Sequence, residues 1–181
     1  MAKSGASKNK ASLPLAIVIG VDTPIGLTVI RELGENGVPV VGVGSCEYSI
    51  GAASRFTHSF YKRPKNEPMS QWLPALIRHH EAGAVLAVSE NDLLELAELP
   101  EKIEGCQILT PRQPQLDLVL DKSRTMAAAK QLGLDTPDSW QPVPGDNFAE
   151  IAHGLQYPLA IKWNDPMAVT PLLNQRDIKF E

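Results

Sequence analysis

Apolar and polar positions fall into a repeating order along the first two thirds of the chain. The run "LPLAIVIG" (13–20) is nearly all apolar and ends in glycine. It predicts a strand buried on both faces, as strands of parallel sheets are. "DTPIGLTVIRELGENG" (22–37) then switches to helical spacing. Asp22 or Thr23 can cap this helix, Pro24 suits its first turn, Ile25, Val29, Ile30 and Leu33 share a face, and Gly37 ends it. "VPVVGVG" (38–44) is a second apolar run, completing a βαβ unit whose crossover should be right-handed.

An irregular stretch follows over 45–55, then a short strand "THSFYK" (57–62) and a loop over 64–68. "MSQWLPALIRHHEAG" (69–83) predicts a helix with Trp72, Leu73, Leu76 and Ile77 inward and Pro74 in its first turn. "AVLAVS" (84–89) reads as the fourth strand, "NDLLELAELPEKI" (91–103) as a helix broken at Pro100, and "CQILT" (106–110) as the fifth strand. The order β-α-β-β-α-β-α-β defines an α/β, doubly wound, mostly parallel domain over residues 13–114.

The remainder, residues 115–181, is sparser. "DKSRTMAAAKQLG" (121–133) is a helix with Asp121 as N-cap and Gly133 as its stop, and Pro137 forbids continuation. "QPVPGD" is a turn-rich linker, "NFAEIAHGL" (147–155) a short helix, and "YPLAIKW" (157–163) a strand in which Leu159 and Ile161 face one way and Ala160 and Lys162 the other. This incomplete α+β lobe offers too little apolar surface to close a core alone.

Composition adds boundaries rather than a function. The net charge of −4 gives no electrostatic reason for a nucleic-acid partner. No run approaches the eighteen apolar residues of a membrane span. Residues 1–12 carry three lysines and no acid and read as a disordered basic leader without the pattern of a targeting peptide. Cys46 and Cys106 lie sixty positions apart with no metal-binding spacing, which suits reduced thiols in a cytoplasmic protein.

Candidate chemistry clusters at a few places. The first βα turn, "GVDTPIG", lies where ligands bind in doubly wound sheets, but it holds only Gly20 and Gly26 of the G-x-G-x-x-G fingerprint. Asp22 puts a negative charge where a pyrophosphate would sit. A tight turn with close helix–strand packing accounts for it better than a phosphate site, and Glu47 alone makes a weak ribose-binding acid. "SEND" (89–92) ends the fourth strand on the same crevice side, with Ser89 or Asn91 as a helix cap. His79, His80 and Glu81 are adjacent on a helix and do not form an i,i+4 metal pair. His58 and His153 have no evident partner.

Two lysines stand out. Lys122 and Arg124 open a helix at the positive end of its dipole, where cations are mildly unfavourable. Lys162 comes late in an apolar run, as an edge-strand guard or as a functional cation.

Taken together, a doubly wound domain, an Asp121-Lys122 helix start, "GLDTP" (133–137), and "YPLAIK" (157–162) resemble the ATP-grasp superfamily, carboxylate–amine ligase type. The resemblance implies a Rossmann-like pre-ATP-grasp domain over 13–114 and part of the first ATP-grasp lobe over 115–181. It implies that Lys122 and Lys162 bind the phosphates of ATP, a polyphosphate making the helix-start cation favourable. Arg124 belongs to the surface. It further implies magnesium, small-molecule carboxylate and amine substrates, and often a homodimer. The substrate-side candidates are Asp22, Thr23, Glu90 and Asp92.

This sequence departs from the pattern in two ways. No glycine occurs in "WNDPMAVTPLLNQRDIKFE" (163–181), where the family often carries a glycine-rich phosphate lid. The second lobe, with its adenine contacts and Mg²⁺ ligands, is expected beyond residue 181, so this polypeptide alone is not expected to be catalytically complete. An NAD(P)-binding oxidoreductase built on the first βα turn, and a non-catalytic module derived from the ligase fold, are the competing readings.

Overall fold

The computed structural model describes residues 13–166 and 168–169. They divide into two compact units, with the break between Gln113 and Pro114.

In the first unit the chain runs β1 (Ala16–Ile19), α1 (Pro24–Glu35), β2 (Val40–Gly44), β3 (Thr57–Lys62), α2 (Met69–His80), β4 (Ala84–Ala87), α3 (Glu90–Ala97), β5 (Lys102–Ile103) and β6 (Cys106–Leu109). The strands form one sheet in the order β3-β2-β1-β4-β6-β5, parallel except for the β5–β6 pair. The sheet is therefore doubly wound: the chain leaves β1 toward β2 and β3, then returns to its other side at β4. The switch point lies between β1 and β4, where such sheets open their ligand crevice.

Period-two alternation sorts each strand onto two cores. Ile17, Ile19, Val41, Val43, Val85 and Ile108 pack with Met69, Trp72, Leu73, Leu76 and Ile77 of α2 and Leu96 of α3. Val18 and Val40 point to the opposite face, against Ile30, Val29 and Leu33 of α1 and Phe56 and Phe60. Every residue of β1 and β2 is buried, as their unbroken apolar runs predict.

Several expectations are corrected. The first strand begins at Ala16, and Leu13 is exposed. The buried arc of α1 centres on Gly26 and Ile30, which leaves Ile25 at its margin, 63% exposed. Pro74 lies inside α2, in its second turn, because the helix already starts at Met69. Residues 102–103, after the break at Pro100 and not expected to be a strand, form β5. Glu104 (φ 51°) and Gly105 (φ 87°) both adopt left-handed backbone conformations, which suits a two-residue hairpin turn into β6.

The second unit contains α4 (Gln113–Val119, beginning at the break), α5 (Lys122–Gln131) and α6 (Phe148–Gly154). No sequence pattern announces α4. Residues 157–163 are not a strand, against expectation. A strand exists only through ladder hydrogen bonds to a neighbour, and none of the described residues supplies one to this segment. The alternation of its side chains over a sheet therefore has no counterpart. The basic leader lies outside the described residues.

Candidate functional site

At the crevice end of the first unit, Gly20 leaves β1 with φ 90°. A Cβ there would come within 2.8 Å of Val88 Cγ2 and 3.3 Å of Asp92 Oδ2, so the ends of β1 and β4 meet closely at the switch point. Gly26 packs tighter still: its Cβ would stand 2.6 Å from Gly20 O. That is close helix–strand packing, the plainer of the two readings of this turn. Thr23 is the α1 N-cap; its Oγ1 accepts the Gly26 N–H at 3.2 Å and donates to Gly20 O at 3.2 Å.

Asp22 accepts the Ser45 N–H at 2.8 Å and the Ser45 hydroxyl at 3.0 Å, with Cys46 Sγ 3.6 Å from its other oxygen. Burial pushes the Asp22 carboxyl upward, but the Ser45 backbone and side-chain hydrogen bonds with those of Cys46 and Ser49 outweigh it, and the net shift is downward. Its carboxylate thus ties the β1 turn to the end of β2. Glu47 is paired with Lys62 at 3.1 Å on the surface.

The "SEND" segment starts α3. Ser89 is its N-cap, accepting the Asp92 N–H at 3.2 Å while donating its hydroxyl to Asp92 Oδ2 at 2.6 Å. Asp92 is only 3% exposed, and its other oxygen is held by the guanidinium of Arg63, just past β3. A buried carboxylate needs such a partner. Glu90 is exposed. Arg63, Lys65, Asn91 and Asp92 line an open cleft of about 350 Å³ together with Ser45 and Trp72. The four candidates Asp22, Thr23, Glu90 and Asp92 all lie at the carboxyl end of the sheet, and three of them are engaged in hydrogen bonds that shape the turns. Sequence reasoning missed Ser45 and Arg63; the signal available was their position immediately after β2 and β3, on the crevice side.

In the second unit, α5 begins at Asp121, whose Oδ1 accepts the Arg124 N–H at 2.9 Å and the Ser123 hydroxyl at 2.7 Å. These bonds, led by that from the Arg124 backbone, hold the Asp121 carboxyl below its ordinary value. Arg124 is exposed, its Nε 3.9 Å from Asp121 Oδ2, a surface contact. The residue that organises this end is one that no sequence motif marks. Asn164 accepts the Lys122 N–H on its backbone oxygen at 3.2 Å and the Ser123 N–H on its side-chain oxygen at 2.8 Å. Its side-chain amide donates to Asp121 Oδ2 at 3.0 Å. Lys162 is two residues away along the chain, within about 7 Å of Asn164 between Cα atoms. The segment bearing Lys162 is therefore docked on the helix end opened by Lys122.

Lys122 is half-buried and Lys162 exposed, and neither ammonium has an ion-pair partner among the described residues. Magnesium ligands are a different matter: among the described residues no three His, Cys, Asp or Glu side chains stand together as a metal site. His79 and His80 stack edge-to-face at 4.7 Å on the end of α2, and burial, then the neighbouring His79 and His58, lower the His80 pKa. Cys46 is exposed and Cys106 buried, both free thiols. No helix among the described residues is long and apolar enough to cross a membrane.

No family model and no curated protein matches the chain. Solved structures do match. The N5-carboxyaminoimidazole ribonucleotide synthetase from Thermotoga maritima aligns with a TM-score of 0.55 at 17% identity, over 81% of this chain and 37% of that one. What this chain shares with part of that synthetase is its fold, the doubly wound, mostly parallel α/β sheet described above. The biotin carboxylase domain of the Hydrogenobacter thermophilus 2-oxoglutarate carboxylase, solved as a dimer with ADP, MgADP and bicarbonate, aligns with a TM-score of 0.50 at 17% identity, over 81% of this chain and 34% of that one. A thermophilic 2-oxoglutarate carboxylase's biotin carboxylase domain, bound to bicarbonate, aligns at 0.50 and 17% over 91% of this chain and 39% of that one. This chain thus spans little more than a third of the length of each of these three structures, and at such identity the likeness is one of fold.

Proposed function

We propose that this chain is the N-terminal portion of an ATP-dependent ligase that activates a carboxylate as an acyl phosphate for attack by an amine or similar nucleophile. The single observation that supports it most is the docking of Asn164, two residues after Lys162, on the α5 N-terminus that begins with Lys122, these being the two lysines that the resemblance assigns to ATP phosphates. In this reading residues 13–114 form the pre-ATP-grasp domain and 115–181 part of the first ATP-grasp lobe.

ATP supplies the phosphoryl group that converts the carboxylate oxygen into a leaving group. What falls to this chain is positioning and charge. Lys122 and Lys162 neutralise the phosphate oxygens and fix their place. Asp22 and Asp92 hold the turns at the carboxyl end of the sheet, with Thr23 capping α1, while Glu90 and the cleft beside Arg63 and Lys65 face the small substrate. Mg²⁺ ligands and adenine contacts belong to a second lobe in this reading, and the complete active site needs that lobe.

The nicotinamide alternative has little to stand on in the first βα turn. Thr23 already takes the Gly26 N–H, and the Asp22 carboxylate stands beside it.

A thermal-shift titration with Mg-ATP, NAD(H) and NADP(H) tests the reading, because a ligand that binds only the folded state raises the melting temperature with its occupancy. The expected result is a shift with Mg-ATP that is lost in Lys122→Ala and in Lys162→Ala. A shift with a nicotinamide nucleotide alone would overturn the ligase reading.

A further inference from the structure

The α5 N-terminus is not available to an anion through its backbone. Helix starts bind phosphate because their first amides lack partners. Here the Lys122 N–H goes to Asn164 O at 3.2 Å, the Ser123 N–H to Asn164 Oδ1 at 2.8 Å, and the Arg124 N–H to Asp121 Oδ1 at 2.9 Å. Any anion held there is held by side chains, so their placement decides the affinity. The residue that fixes that placement is Asn164. It uses its backbone carbonyl, side-chain oxygen and side-chain amide at once, the last donating to Asp121 Oδ2 at 3.0 Å. An Asp cannot replace it without setting two carboxylates against each other, and an Ala leaves the Ser123 amide without its acceptor and Asp121 Oδ2 with only the 3.9 Å contact to Arg124.

We propose that Asn164 is a positioning residue: clamped to Asp121 and to the first amides of α5, it holds Lys162 beside Lys122 so that both ammonium groups meet one polyphosphate. This rests on the reading of those lysines as nucleotide-phosphate ligands, and goes beyond it by naming the residue through which they act together.

The polarity of the Asn164–Asp121 pair provides the test. Asn164→Asp breaks it by like-charge repulsion. The exchange Asp121→Asn with Asn164→Asp restores it in reverse: an Asn at 121 can still accept from the Arg124 N–H and the Ser123 hydroxyl, while its amide donates to the carboxylate at 164. Two measurements on the whole chain follow. The first needs no nucleotide: a short amine-reactive cross-linker, with the Lys122–Lys162 product quantified by mass spectrometry. The product should form in the unaltered protein, fall about tenfold in Asn164→Asp, and return in the double exchange. The second is Mg-ATP affinity by calorimetry, which should weaken about tenfold and recover in the same order.

An unchanged cross-link in Asn164→Asp, or no recovery in the double exchange, overturns the clamp. So does unaltered Mg-ATP affinity in Asn164→Asp. If the unaltered protein takes up no Mg-ATP while the cross-link follows the expected order, the clamp stands and the nucleotide reading of the two lysines fails. Amide exchange along α5 identifies a variant that has lost the fold of the second unit, and the double exchange then supplies the decision.

Discussion

The two units of this chain use similar ingredients to different ends. In the first, the apolar residues of β1 and β2, with Trp72, Leu73, Leu76 and Ile77 of α2 and Leu96 of α3, are buried in two cores on opposite faces of a sheet. In the second, α5 and α6 bury no residue at all, Leu132 is 77% exposed and Ile161 96%. Leu132 and Ile161 are no less apolar than Leu73 and Ile17. What differs is the neighbour: a sheet gives each strand two partners and each helix a flat apolar face, whereas the described residues of the second unit hold no sheet. Hydrophobic pattern states which residues favour burial, and burial itself requires a surface to meet.

The largest consequence is in stability. Leu73→Ala opens a cavity between α2 and the sheet and should cost about 2–5 kcal/mol. Leu132→Ala removes an exposed side chain and should stay within about 0.5 kcal/mol. Urea denaturation followed by tryptophan fluorescence measures both. Equal losses at the two sites would mean that Leu132 is covered in solution, and the contrast between the units would fall.

A smaller effect comes from glycines. A methyl at Gly26 would press on Gly20 O at 2.6 Å and Val21 Cα at 2.7 Å, both backbone atoms. Gly26→Ala should therefore cost about 1–3 kcal/mol through overpacking. At Gly154, at the end of α6, a methyl group would meet nothing within 4 Å. Gly154→Ala should be neutral or stabilise by up to about 1 kcal/mol, since it lowers the freedom of the unfolded chain at no steric cost. The same denaturation curves decide it, and a loss on Gly154→Ala comparable to that on Gly26→Ala would show a packed α6 end.

This contrast also explains what can be read from sequence. Parallel strands buried on both faces write themselves as unbroken apolar runs, so β1, β2 and β4 are legible to within a few residues, and β3 to the residue. The β5–β6 hairpin is not, because its turn is Glu104-Gly105 rather than a strong turn pair and its first strand has two residues. Residues 157–163 have a strand's composition, and composition cannot supply the second strand. For the site, the lysines are visible as cations in awkward places. Asn164 is invisible because its role depends on a contact across forty-three positions with Asp121, and no local pattern encodes that. Arg63 and Ser45 are hidden in the same way, their meaning resting on which strands end beside them.

The smallest expected effect, and the finest comparison, is between one carboxylate in each unit. Asp22 and Asp121 both have pKa values held below the ordinary 3.8, each by hydrogen bonds donated to the charged form. A group whose folded pKa is depressed contributes stability that is fully present above its unfolded pKa and is lost as pH falls through the folded value. Both contributions should therefore be intact at neutral pH and disappear as the solution is acidified below about pH 4. Burial opposes ionisation at both, but at Asp22 it is the largest single influence, outweighed only by the hydrogen bonds from Ser45 and its neighbours, whereas at Asp121 the Arg124 and Ser123 bonds come before it. Asp22→Asn should flatten part of the acid limb of the first unit's unfolding curve, while Asp121→Asn should leave that limb unchanged and alter only the acid dependence of amide exchange at Ser123 and Arg124. Stability measured between about pH 2.5 and 5, alongside site-resolved exchange, separates the two. An acid limb that moves equally in both variants would mean that the two units unfold as one cooperative body, and the division that the buried and exposed side chains suggest would not extend to their thermodynamics.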